Sequence, residues 1–228
     1  MSPEPEEART TRGAESRKWL APGSGTHYSS GRFATPRAAA RDLRLIEGLL
    51  DEFLGKPREG VPFLLDAPCG AGRLAPMLSG RARRLVGLDA SRDMLAAARE
   101  AQDTPSTLLE GDLLDLPFRD GSFDAVVACR FLHHLRDEAQ LDRALGELVR
   151  VSRGLVIASF WDERSLPGWR RRLGLKRDEG PRGRAATSRG HLAAALARAG
   201  ADVLAWRASL RFVSQQSFFA ARVRPREA

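Results

Sequence analysis

The chain of 228 residues contains two cysteines, Cys69 and Cys129. Two cysteines do not make a disulfide framework, so stability is expected from a buried core. The four histidines, at 27, 133, 134 and 191, show no spacing that resembles a structural zinc site, and no metal is expected. No run of about 18 apolar residues occurs, which excludes a membrane-spanning helix as a reading of this sequence. The segment Met1 to Thr11 is acidic and has no apolar stretch after it, unlike a secretory signal, so a cytoplasmic protein is expected. Aromatic residues are only 7%, too sparse for the stacking platforms that hold single-stranded nucleic acid. Lysine is nearly missing: of 37 basic residues three are Lys (Lys18, Lys56, Lys176) and the rest are Arg. That bias makes a high isoelectric point weak grounds for a nucleic-acid partner.

What is present suits one globular domain. Hydrophobic residues are 43% and charged residues 29%, in a chain long enough for a full core. The formal net charge is +8, and +5 of it lies between Trp161 and Gly190, a local surplus that can steer an anionic partner. Residues 1–25 mix charge, Ser, Thr, Gly and Pro without apolar periodicity and are expected to be disordered. From Pro36 to Leu54 the apolar residues recur at helical spacing, and Gly55 and Pro57 end the run.

A period follows. The apolar runs 63–65, 84–88, 106–109, 123–128 and 155–160 alternate with helical stretches at 74–78, 91–101 and 138–151. Short strands alternating with helices predict βαβ units, and hence an α/β fold with a parallel sheet covered on both faces. A further helix is expected over Thr187 to Ala199, closed by Gly200. The last two strand-like runs, 202–209 and 217–223, are joined by a short polar link, which suits an antiparallel pair.

The chemistry concentrates where these runs end. Leu65-Asp66-Ala67-Pro68-Cys69-Gly70-Ala71-Gly72 is a strand running into a turn with two glycines. Lacking Cβ, Gly70 and Gly72 let a ligand approach the backbone. The N-terminus of the helix that follows is expected to offer free N–H groups to a carboxylate. Asp89 ends the second run, 17 residues after Gly72, which suits an acceptor for ribose hydroxyls. Its competing role, a cap for the next helix, falls equally well to Ser91. The incomplete G-x-G-x-x-G pattern argues against a simple nicotinamide dehydrogenase.

The third element is Gly111-Asp112-Leu113-Leu114-Asp115-Leu116-Pro117-Phe118, continuing through Asp120-Gly121-Ser122-Phe123-Asp124-Ala125-Val126. Together with the glycine turn and Asp89, in this order, it resembles the class I, Rossmann-like S-adenosylmethionine-dependent methyltransferases. Within them it resembles especially the ubiquinone- and menaquinone-type small-molecule group. The resemblance covers roughly residues 60–160, inside a domain expected to span 26–228. It implies a doubly wound, mostly parallel seven-stranded sheet with an antiparallel last strand and helices on both faces. It implies S-adenosyl-L-methionine as the cofactor. Asp66, Cys69, Gly70 and Gly72 would hold its methionine end, Asp89 the ribose, and Asp112 the adenine amino group with the Leu113 backbone beside it. Cys129 would border the methionine moiety. Where the family usually has Gly, this chain has Pro68, whose fixed φ and missing N–H remove one donor from the turn.

His133 and His134, after the fourth strand, are candidate general bases for an acceptor hydroxyl, amine or activated carbon. The competing reading is that at least one of them packs or hydrogen-bonds structurally. Methyl transfer needs little acid–base machinery in any case, because the cofactor carries an activated methyl group. Two segments are expected to cover the site: an N-terminal helical lid at 26–55, with Tyr28, Arg32 and Phe33, and the basic insert 161–189, with Arg170, Arg171 and Arg172. The favoured acceptor is a small molecule bearing an anionic group. The alternatives are RNA or protein methylation, with the insert as a docking surface, and a non-catalytic binding protein on the same fold.

Overall fold

The computed structural model describes residues 35–56, 60–101, 107–165, 185–210 and 214–226. The segment 1–25, the lid residues Tyr28, Arg32 and Phe33, and the insert residues Arg170, Arg171 and Arg172 lie outside the described residues.

The seven apolar runs form seven strands: β1 (Val61–Asp66), β2 (Ala82–Asp89), β3 (Thr107–Glu110), β4 (Phe123–Ala128), β5 (Ser152–Trp161), β6 (Ala201–Ala208) and β7 (Gln216–Val223). They make one sheet in the order β3-β2-β1-β4-β5-β7-β6. Neighbours from β3 to β5 run parallel, and β7 is antiparallel to both β5 and β6. This is the doubly wound sheet that the motifs imply, with the antiparallel pair that the short final link predicts. The fifth strand is longer at both ends than the expected 155–160. It starts directly after a helix, and Gly154 lets it approach β4: a Cβ there would lie 2.5 Å from the Asp124 carbonyl oxygen.

Among the described residues five helices pack around the sheet, α1 (Thr35–Leu54), α2 (Ala75–Ser79), α3 (Arg92–Ala101), α4 (Glu138–Val151) and α5 (Arg189–Ala199), with one 3-10 turn at Leu132–His134. The N-termini of α4 and α5 are set by side chains that satisfy a free amide. Asp137 accepts from Ala139 N–H at 3.0 Å, and Ser188 Oγ from His191 N–H at 3.1 Å. Gly200 closes α5 in the left-handed region at φ 93°.

Alternation along the strands divides the core in two. Leu65, Val126, Val156 and Phe219 face α4 and α5, meeting Leu145, Leu148, Leu192 and Leu196. Leu64, Ala125, Ile157 and Phe218 face α1 and α2, meeting Ile46, Leu49, Leu50 and Leu78. Burying each such large side chain contributes about 1.5–3 kcal/mol. The packing anchors α1 to the sheet, and Ala39 and Asp42 of its first half accept hydrogen bonds from Arg73 and Arg130, in the loops after β1 and β4. Among the described residues no helix is long and apolar enough to cross a membrane.

The parallel strands all end at one edge. β1 and β4 lie side by side at the point where the connections diverge, the place where open α/β sheets bind ligands.

Candidate cofactor and transfer site

The end of β1 sets the character of the site. Asp66 is 2% exposed, and its Oδ1 has no hydrogen-bond partner among the described residues. Burial raises its carboxyl pKa to about 8, against the pull of the Arg73 guanidinium and with a smaller push from Asp89. A buried carboxylate oxygen without a donor is costly unless a ligand supplies one. An ammonium group, such as that of the cofactor's amino-acid end, fits that requirement.

Beyond Asp66 the chain turns tightly. The Ala67–Pro68 peptide is cis, and Gly70 and Gly72 stand at φ 55° and 75°, which side-chain-bearing residues seldom adopt. Cys69 turns inward. Its N–H donates to Leu88 carbonyl oxygen at 2.9 Å, and its sulfur packs beside Gly87 of β2. Burial pushes the Cys69 thiol far up, so this residue offers packing and neither a nucleophile nor an amide.

The helix after this turn differs from expectation. It starts at Ala75, spans five residues, and has no free donors in its first turn. Ala75 N–H goes to Gly72 carbonyl oxygen, Pro76 has no N–H, and Met77 and Leu78 both donate to Leu74 carbonyl oxygen. The amides of the first turn of α2 are thus engaged within the chain, where free donors were expected.

Asp89, at the end of β2, is 7% exposed and occupied on both oxygens. Oδ2 accepts from Gly70 N–H at 2.8 Å and Oδ1 from Ser91 N–H at 2.9 Å. Burial raises its pKa, partly opposed by these backbone donors. Ser91 Oγ accepts in turn from Met94 N–H at 3.4 Å, the cap expected of it. Asp89 thus ties the glycine turn to β2. Each carboxylate oxygen keeps a lone pair in reserve, enough for a ribose hydroxyl.

Beyond β3, Gly111 N–H donates to Asp89 carbonyl oxygen at 3.1 Å, which brings Asp112 beside Asp89. Asp112 Oδ1 accepts from Leu114 N–H at 2.9 Å, and its other oxygen makes no such bond among the described residues. The Leu113 side chain is buried in the core, fixing the backbone there. An adenine amino group fits the remaining acceptor.

Cys129 follows β4 and is buried. Burial pushes its thiol up to about 11, and the charges that act on it are those of Arg73, Asp42, Arg130 and Asp66. Three of these, Arg73, Asp42 and Arg130, the sequence did not single out. Asp42 of α1 is fully buried, and its Oδ2 accepts from Arg130 Nε at 2.7 Å and lies 3.9 Å from Arg73 Nη2. Arg130 stands at φ 61°, the one positive φ on a residue other than glycine among those described. Its N–H donates to Ser159 Oγ at 2.6 Å. Such backbone outliers persist where surroundings enforce them, commonly at functional sites.

The histidines lie on the 3-10 turn just beyond. His133 is 4% exposed and sandwiched: its ring stacks on Trp161 at 5.0 Å and 4°, and lies 4.3 Å from the His134 ring. Its carbonyl oxygen accepts from Ala185 N–H at 2.9 Å. His133 is buried in this packing, and His134 is the more open of the two.

Comparison with known proteins places this geometry. Residues 65–157, from β1 to β5, match the family described as methyltransferase domain. The chain is 47% identical over 116 residues to a demethylmenaquinone methyltransferase of Thermus thermophilus, a match covering 48% of this chain and 50% of that protein. It is 37% identical over 122 residues to a ubiquinone biosynthesis O-methyltransferase of Methylocella silvestris, covering 50% and 45%. The chain thus spans about half the length of these curated relatives. In fold it is similar to a magnesium protoporphyrin IX methyltransferase from Synechocystis with bound S-adenosylhomocysteine, at TM-score 0.68 and 17% identity over 92% of this chain and 93% of that one. The ordered motifs, the sheet order and the matched segment agree: residues 65–157 match a methyltransferase domain, set in a class I, Rossmann-like methyltransferase fold.

Proposed function

We propose that this protein transfers a methyl group from S-adenosylmethionine to a small-molecule acceptor. The observation that carries the reading is the buried Asp66 carboxyl with an unpartnered oxygen, one strand from Asp89 and beside the glycine turn. Those groups suit a ligand with an ammonium, a ribose and an adenine. The cofactor supplies an electrophilic methyl on a sulfonium centre, so the chain's task is to orient the acceptor in line with it and to exclude water.

The residues divide that task. Asp66 accepts from the ammonium, Asp89 from the ribose hydroxyls and Asp112 from the adenine amino group. Gly70 and Gly72 keep the turn free of side chains where the ligand lies close. Cys129 borders the site with a thiol that stays protonated. Near the end of β4, His134 is the candidate base for an acceptor hydroxyl, held by the stack of His133 on Trp161. Quinone-type acceptors are the first class to try, by likeness to the relatives' printed activities.

The test is transfer of a labelled methyl group from S-adenosylmethionine to a panel of hydroxylated aromatic and quinol acceptors, with transfer RNA and a mixed protein fraction included. Label in a small acceptor, lost by at least tenfold in His134→Ala with cofactor affinity unchanged, supports the assignment. Label found only in RNA or protein overturns the acceptor class.

A further inference from the structure

Residues 114–118 follow the candidate adenine acceptor Asp112 and belong to none of the helices or strands. Their backbone polar groups still need partners. They find them on one face of α4. Arg143, Glu147 and Arg150 are spaced by four and three residues, which aligns their side chains along the helix. Arg143 Nε donates to Leu114 carbonyl oxygen at 2.7 Å. Glu147 Oε2 accepts from Leu116 N–H at 2.6 Å. Arg150 donates through Nη2 to Leu116 carbonyl oxygen at 2.9 Å and through Nη1 to Phe118 carbonyl oxygen at 2.7 Å. Three side chains of one helix thus hold four backbone groups of the segment.

The clamp is itself braced. Arg150 meets Glu147 with Nε at 2.7 Å and Nη2 at 2.8 Å, a two-pronged pairing, and its Nη1 also reaches Asp120 Oδ1 at 2.9 Å. The hydrogen bond from Arg150 holds the Glu147 carboxyl below its ordinary range, so the pair stays ionised at neutral pH. The Glu147 side chain is 15% exposed, away from the solvent that weakens surface ion pairs.

The other end of the segment carries the chemistry. The Leu114 amide donates to Asp112 Oδ1 at 2.9 Å while the Leu114 carbonyl oxygen goes to Arg143, so one residue links the clamp to the carboxylate. Leu113 and Leu116, each 3% exposed, keep the segment on the core. Apolar burial is non-directional, and hydrogen bonds add the orientation that it lacks. A carboxylate oxygen selects an amino group well only where its position is fixed to about half an ångström.

We propose that Glu147, Arg150 and Arg143 are positioning residues for adenine selection, acting through residues 114–118 on the remaining oxygen of Asp112. The inference rests on the reading of Asp112 as the acceptor of the adenine amino group.

Wild type, Arg150→Gln, Arg150→Lys, Glu147→Ala and Arg143→Gln are titrated calorimetrically, each below its own melting midpoint. The ligands are S-adenosylhomocysteine and its 6-deamino analogue, in which hydrogen replaces the adenine amino group. Wild type is expected to prefer S-adenosylhomocysteine by at least tenfold. In Arg150→Gln and Glu147→Ala that preference is expected to fall below threefold, with the analogue bound within twofold of wild type. Arg150→Lys keeps the charge without the two-pronged edge and is expected to lie between. 5′-Methylthioadenosine, which keeps adenine and ribose but lacks the amino-acid end, is expected to weaken by the same factor as S-adenosylhomocysteine. Arg143→Gln changes an exposed residue and keeps the Glu147–Arg150 pair, so it reads the effect in folded protein even where the other variants unfold; a preference at least halved is expected there.

A clamp that only stabilises the fold lowers the midpoint and leaves the preference of the folded protein unchanged, and that result overturns the proposal. So does a loss of S-adenosylhomocysteine affinity with 5′-methylthioadenosine unaffected, which places the effect at the amino-acid end. Wild type that binds S-adenosylhomocysteine and its deamino analogue equally removes the Asp112 assignment, and the proposal with it, while the cofactor reading stands. Wild type that binds neither removes the methyltransferase reading as well.

Discussion

Asp66→Asn is expected to weaken S-adenosylhomocysteine binding about thirty-fold while leaving 5′-methylthioadenosine binding within twofold. The carboxylate is buried and unpartnered, so a ligand ammonium is the donor that satisfies it. A hydrogen bond to a charged group contributes about 1.5–3 kcal/mol, and 2 kcal/mol corresponds to roughly thirty-fold in affinity. The same residue gives binding a pH dependence. The free carboxyl titrates near pH 8, and the ammonium favours its ionised form, so binding expels a proton. Affinity is therefore expected to rise between pH 6 and pH 8.5 in wild type, and to stay flat over that range in Asp66→Asn.

Stability carries the opposite sign. The folded pKa of Asp66 is raised from 3.8 to about 8, so the folded state holds a proton that the unfolded state has lost. The contribution of this group is full below pH 4 and disappears as pH rises through about 8. Ligand-free Asp66→Asn is expected to match wild type near pH 4 and to exceed it by on the order of a few kcal/mol at pH 9. Taking the difference between the two proteins removes the opposing effect of Asp120, Asp202 and Glu147, whose paired carboxyls are lowered and lose stability as pH falls. Denaturant melts of both proteins at pH 5, 7 and 9 read this directly. Parallel curves contradict the buried, protonated carboxyl.

Asp89→Ala is expected to weaken both nucleosides alike, by thirty-fold or more, because both carry the ribose. It also removes the acceptor of Gly70 N–H and Ser91 N–H, two charge-assisted bonds that tie the glycine turn to β2. Leaving two amides without a partner at a nearly buried position costs about 2–3 kcal/mol. The expected outcome is a folded protein with a lowered midpoint, and a turn whose Gly70 amide exchanges faster with solvent. Affinity unchanged in folded Asp89→Ala contradicts the ribose assignment. A lowered midpoint with unchanged affinity leaves Asp89 as a turn-fixing residue alone.

The strand-end residues of the candidate site were legible because the fold puts polar residues at regular intervals. Asp66, Asp89 and Asp112 each stand just where an apolar run stops, and parallel βαβ units bring such positions to one edge. The antiparallel ending was legible from a link too short for a crossover. Two features were not. Asp42 and Arg130 meet across 88 residues of sequence, and an arginine has no contrast in a chain where nearly every basic residue is Arg. The crowding of the α2 N-terminus depends on how the turn closes on itself, although Pro76 in its first turn was the visible sign that an amide was missing. The histidine pair falls after the fourth strand, as the sequence predicts, while the stacking of His133 depends on Trp161, which β5 delivers from a distance.

The central claim is that the edge where β1, β2 and β4 end binds S-adenosylmethionine. Calorimetric titration of the purified, ligand-free protein with S-adenosylhomocysteine tests it most directly. The account predicts saturable binding at one site per chain, tightening from pH 6 to pH 8.5 with proton release. A folded protein that takes up no heat from S-adenosylhomocysteine or S-adenosylmethionine at any of these pH values contradicts it.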